Sequence, residues 1–155
     1  MRVLIVGAGQ VGFQLAKRLS EEDQDVVLID LDPQKTTYVS EQLDLITVTG
    51  NGASLPVLER AGLSGAGMLL AVTSQDQSNI VACLLASQFD VDLRVARISA
   101  PEYYEPDSAL ARELFGIDLA EGIEPLCETN EFVQSTAGFC EFFRFRRVAL
   151  EFRVA

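Results

Sequence analysis

The residues from Val3 to Val6 are an unbroken aliphatic run that leads straight into Gly7-Ala8-Gly9-Gln10-Val11-Gly12, and a second apolar run, Val26 to Ile29, ends in the acid Asp30. Few folds accommodate that sequence of events. A strand buried on both faces reads as a continuous apolar run. Glycines spaced G-x-G-x-x-G after such a strand allow a tight turn at Gly7, close approach of a pyrophosphate at Gly9, and close helix–strand contact at Gly12. Phosphates would then meet the N–H groups from about Gly9 to Val11 at the positive end of the following helix. Asp30 stands where ribose hydroxyls need an acceptor, and its charge disfavours the additional phosphate of NADP, so the implied ligand is NAD-like or an adenine nucleotide. The alternative is that the glycines serve only the turn and Asp30 is a solvated strand end.

The same strand signal recurs. Val26–Ile29, Leu45–Val48, Met68–Val72 and Val95–Ile98 are short runs of this kind, with a weaker sixth near 116–119. Helical stretches lie between them. Leu15, Ala16 and Leu19 recur at helical spacing, Asp32-Pro33 is a cap with proline at the first helical position, and Ser54 can cap a short helix ending at Gly62. Ser74 to Gln77 has the spacing of a capping box before Ile80 to Leu85. Alternation of strand and helix predicts an α/β, Rossmann-like, doubly wound parallel sheet of six strands in the order 3-2-1-4-5-6. Residues 1–124 would form this domain. Pro125 would open a crossover helix over 125–139, and 140–155, with four Arg against two Glu and period-two alternation from Val148 to Val154, would be a trailing strand beginning a truncated second lobe.

Composition narrows the chemistry. With 155 residues the chain suits one domain. There is no histidine, which removes histidine bases, Ser-His-Asp triads and histidine-bound metals. The three cysteines, Cys83, Cys127 and Cys140, lack C-x-x-C spacing, so no metal site is expected. A net charge of −11 repels nucleic-acid phosphate over most of the surface. No apolar run reaches membrane length, and the expectation is a cytoplasmic protein whose membrane association is indirect.

Other candidates sit at the same sheet edge. Gly50 and Asn51 follow the third strand, and Thr73 and Ser74 follow the fourth; each is explained equally by a loop or a helix cap. Arg97 lies in an otherwise apolar run, where a guanidinium needs a carboxylate or a phosphate.

Taken with Gly50 to Ser54, Leu70 to Asp76 followed by Asn79, and Val95 to Ile98 followed by Pro101-Glu102-Tyr103, the glycine motif and Asp30 make the chain resemble the nucleotide-binding domain of Trk-type potassium-uptake regulators, also called the RCK or KTN domain. Asn51 stands where many members of that family carry an aspartate. The resemblance implies a non-catalytic regulatory subunit binding NAD(H), or ATP or ADP as in some relatives. It would assemble as a homo-oligomer, dimer or tetramer, on a potassium-transporting membrane subunit at the inner face of the membrane. The implied cofactor contacts are Gly7, Ala8, Gly9, Gln10, Val11 and Gly12 for the pyrophosphate turn, and Asp30 and Leu31 at the adenosine, with Gly50 and Asn51 nearby. Thr73 and Ser74 would meet the distal half, and Arg97 a phosphate or ribose. The competing function is the cofactor domain of an NAD-dependent dehydrogenase without its substrate domain.

Overall fold

A computed structural model describes residues 1–100 and Tyr103. By its internal contacts the chain divides into Met1–Glu124 and Pro125–Ala155, and every described residue lies in the first unit. The sixth strand, the 125–139 helix and the trailing strand expected from sequence lie outside the described residues.

Five parallel strands, β1 (Arg2–Val6), β2 (Asp25–Asp30), β3 (Ile46–Thr49), β4 (Ala66–Ala71) and β5 (Leu93–Ala96), form one sheet in the order β3-β2-β1-β4-β5. This is the expected order for the first five strands. The helices α1 (Gln10–Glu21), α2 (Pro33–Gln42), α3 (Leu55–Arg60) and α4 (Asp76–Ala86) connect them, with a short 3-10 turn at Leu63–Gly65 before β4.

The central strands carry the core. Leu4, Ile5, Leu28, Ile29, Leu69 and Leu70 are fully buried, and each such side chain contributes roughly 1.5–3 kcal/mol of hydrophobic stabilisation. Leu15, Ala16 and Leu19 of α1 are buried against the sheet together with Gly12, as the helical spacing predicts. β3 departs from the two-faced burial expected of it. It is the edge of the described sheet, and Ile46 at its start is exposed.

β1 occupies the point where the winding reverses, because the chain passes from it to β2 on one side and later returns to β4 on the other. Loops leaving such neighbours diverge and open a crevice at the carboxyl ends of the strands. Parallel pairing continues one residue into these loops: Gly7 N–H donates to Ile29 O (2.7 Å), Val72 N–H to Val6 O (2.8 Å) and Arg97 N–H to Ala71 O (2.8 Å). Their starting points are therefore fixed by the sheet.

Candidate functional site

The turn after β1 is shaped by two glycines that the fold requires and one that it does not. Gly7 adopts φ +110°, and a Cβ there would lie 3.0 Å from Thr73 N, so this turn lies directly against the loop after β4. Gly12 is buried in the first turn of α1, where a Cβ would sit 1.7 Å from Gly7 O. Gly9 differs from both. Its φ of −70° and ψ of −174° suit any residue, and a Cβ on it would meet nothing within 4 Å. Neither conformation nor contact within the domain calls for glycine at that position.

Gly9 is also the N-cap of α1. No side chain caps this end, and the first turn holds no acid. The first helical bond, Phe13 N–H to Gly9 O at 2.9 Å, leaves the N–H groups of Gln10, Val11 and Gly12 without partners in the helix. Gly9 and Gln10 are exposed and Val11 is half-buried. The positive end of α1 is thus open to an anion.

Ala8 is not part of that open set, because its N–H donates to Asp30 Oδ2 at 2.6 Å. The other oxygen, Oδ1, accepts from Asp32 N–H at 2.9 Å. One carboxylate therefore joins the loops after β1 and β2. A carboxylate has about four lone-pair sites, so each oxygen retains capacity for a hydroxyl. Leu31, next in sequence, is 71% exposed and presents apolar surface beside that carboxylate. Its neighbour Asp32 caps α2 as expected, accepting from Gln34 N–H at 2.9 Å ahead of Pro33.

The loop after β3 lies at the same edge, tied to β2 by Gly50 N–H donating to Asp30 O at 2.9 Å. Asn51 is exposed, and its Oδ1 accepts from Ala53 N–H at 2.9 Å, which closes the turn. Gly52 is buried where a Cβ would overlap Val6. Ser54 occupies the N-cap position of α3, but its side chain makes no capping bond.

Around α4 the structure corrects two expectations. The capping box from Ser74 does not form: α4 starts at Asp76 with Gln75 as N-cap, and Ser74 is exposed. Thr73 Oγ1 accepts from Gln75 N–H at 3.1 Å, and this side-chain turn delays the helix. Arg97 does not lie inside β5. It follows the strand, which ends at Ala96, and is half-buried; the half-buried guanidinium within β5 is that of Arg94.

Asp76 and Asn79, read from sequence only as carriers of the family resemblance and given no contacts of their own, organise this end of the site. Asn79, fully buried, bonds Thr73 and Arg97 O, and Asp76 Oδ2 accepts from Ser99 N–H (3.0 Å) and Ala100 N–H (2.7 Å). Their signal was the spacing Thr73-x-x-Asp76-x-x-Asn79, which sets polar residues at helical intervals at the front of an apolar stripe. Among the described residues no group of three or more acidic or cysteine side chains could hold a metal, and no helix is long and apolar enough to cross a membrane.

Residues 3–120 match the TrkA-N domain. The chain belongs to the TrkA-N family. It is 44% identical over 136 residues to the Trk system potassium uptake protein TrkA of Azorhizobium caulinodans, covering 86% of this chain and 29% of that one. The TrkA protein of Halomonas elongata is 38% identical over 120 residues, covering 77% and 26%. The chain therefore spans less than a third of either relative. Among solved structures, the GsuK channel bound to NAD superposes with a TM-score of 0.63 at 22% identity over 75% of this chain and 20% of that one. The TrkA-N domain of the Escherichia coli inner membrane protein ybaL gives 0.58 at 22% identity, over 65% and 75%. These likenesses establish the Rossmann-like fold shared across TrkA-N and RCK domains.

Proposed function

We propose that this TrkA-N chain is a nucleotide-sensing domain that binds NAD(H) and acts without catalysis, as part of a cytoplasmic regulatory subunit of a potassium-uptake system. The observation that carries the ligand reading is Gly9: it leaves open space over an uncapped helix N-terminus, in a position where the domain itself has no use for glycine. Anions stabilise such a helix end, and the absence of a Cβ lets a pyrophosphate reach the N–H groups of Gly9, Gln10 and Val11. Asp30 offers its remaining lone pairs to the adenosine ribose, and Leu31 offers an apolar surface to the adenine. Gly50 and Asn51 border that end, while Thr73, Ser74 and Arg97 border the other.

The bound dinucleotide supplies a redox-dependent ligand, since its oxidised and reduced forms differ in charge and shape at the nicotinamide ring. A gate responds to that difference only if the two forms bind two arrangements of the assembly with different affinity. The names of the TrkA relatives support potassium uptake as the process, and the assembly is a homo-oligomer on a potassium-transporting membrane subunit.

Parallel calorimetric titrations with NADH, NAD, ATP and ADP test the proposal. Binding of NADH or NAD without turnover is the expected result. Preference for ATP over ADP would replace the redox sensor with an energy-charge sensor, and binding of none of the four would remove the ligand reading.

A further inference from the structure

Asn79 is the only uncharged carboxamide fully buried among the described residues, and after Asp76 at the start of the helix it heads a buried stripe of Ile80, Ala82, Cys83 and Ala86 that is apolar or weakly polar. Burying an amide is costly unless every polar atom is paired. Here all of them are. Nδ2 donates to Thr73 O (3.1 Å) and Arg97 O (2.8 Å), while Oδ1 accepts from Thr73 N–H (3.0 Å) and Thr73 Oγ1 (2.7 Å). Two carbonyls on one side and a backbone N–H on the other allow a single orientation of the amide.

That orientation decides the chemistry of Thr73. Because Oδ1 is an acceptor, the Thr73 hydroxyl has two internal acceptors for its proton, Asn79 Oδ1 at 2.7 Å and Gln75 O at 3.2 Å, and the shorter is Asn79. One of the hydroxyl's two lone pairs is taken by Gln75 N–H. With its proton engaged by an internal acceptor, Oγ1 keeps one lone pair, so in this arrangement the hydroxyl meets a ligand as an acceptor. A phosphate oxygen offers only lone pairs at this point, whereas a ribose hydroxyl offers a proton.

We propose that Asn79 is a positioning and specificity-determining residue: by fixing Thr73 as a hydrogen-bond acceptor and holding the Arg97 backbone beside it, it makes the distal half of the site select a sugar hydroxyl over a polyphosphate. The inference rests on the nucleotide-binding reading above. It sorts ligands by what they place beyond the pyrophosphate, and AMP, which reaches only the glycine turn and Asp30, is insensitive to it.

The test compares NADH, ATP and AMP affinities by titration for the wild-type chain, Asn79→Leu and Thr73→Val. Asn79→Leu should weaken NADH by about tenfold while changing AMP by less than about twofold, and should narrow the NADH-to-ATP preference. Thr73→Val, close in shape and without a buried amide to strand, should lower NADH relative to AMP in the same direction if Asn79→Leu does not fold. Equal losses for NADH and AMP, or an unchanged ratio in both variants, would overturn the inference while leaving nucleotide binding in place. A wild-type chain that bound neither would remove the nucleotide reading along with it.

Discussion

The first turns of α1 and α2 lie at the same edge of the sheet, each directly after a strand, and the carboxylate of Asp30 bonds to the loop that leads into each. α2 is closed by its own sequence, with Asp32 accepting from Gln34 N–H and Pro33 occupying a position that has no N–H to satisfy. α1 has Gly9 where α2 has Asp32, and its leading N–H groups face outward unpaired within the helix. The same backbone electrostatics thus stabilises the fold at one helix and is left available at the other. An end left open costs the domain a cap, and the return is a place for an anion.

The comparison can be broken most severely at Gly12. A Cβ there overlaps Gly7 O, which is backbone and held by the Gly7–Ile29 bond, so Gly12→Ala should destabilise the domain by about 3 kcal/mol and lower its melting temperature whether or not a nucleotide is present. Gly9→Asp makes α1 resemble α2. The new carboxylate should cap the helix and raise stability by roughly 0.5–1 kcal/mol, while weakening NADH by about a hundredfold through charge and occupied space. A titration and a thermal melt on this one variant should move in opposite directions. Loss of stability with affinity retained would show that Gly9 serves the turn alone.

Much of this was legible because buried parallel strands announce themselves. β1, β2 and β4 are aliphatic runs between helical patterns, and their order follows from alternation and handedness. The glycine turn and Asp30 were legible from their places at the ends of those runs, and the Asp32-Pro33 cap from a bond that reaches only two residues along the chain. Arg97 was misplaced because the apolar run to Ile98 outlasts β5, and Ile98 is buried beyond the strand's end. The Ser74 cap failed because Thr73 Oγ1 satisfied Gln75 N–H first, a competition between adjacent hydroxyls that spacing does not resolve. The dual grip of Asp30 and the bonds of Asn79 to Thr73 and Arg97 O were not visible at all, since they join segments brought together only by the sheet.

Asp30 separates the two helices from the other side. Asp30→Ala removes the acceptor from the N–H groups of Ala8 and Asp32 and from the ligand's ribose together, so nucleotide affinity should fall by about 1–3 kcal/mol in a titration, with a smaller loss of stability in denaturant. Unchanged affinity would confine Asp30 to holding the loops.

The smallest effect is expected at Asp32, and it is the sharpest control for Gly9. Asp32→Ala opens the start of α2 by removing the bond to Gln34 N–H, which should cost about 1 kcal/mol of stability. The backbone N–H of residue 32 still reaches Asp30 Oδ1, so the carboxylate keeps its orientation and NADH affinity should stay within about twofold. If opening α2 created a second nucleotide site, seen as a stoichiometry above one in the titration, an uncapped helix end would suffice for binding and Gly9 would lose its special standing. One site with lower stability would show that the open helix end at α1 works only together with the glycine turn and the carboxylate beside it.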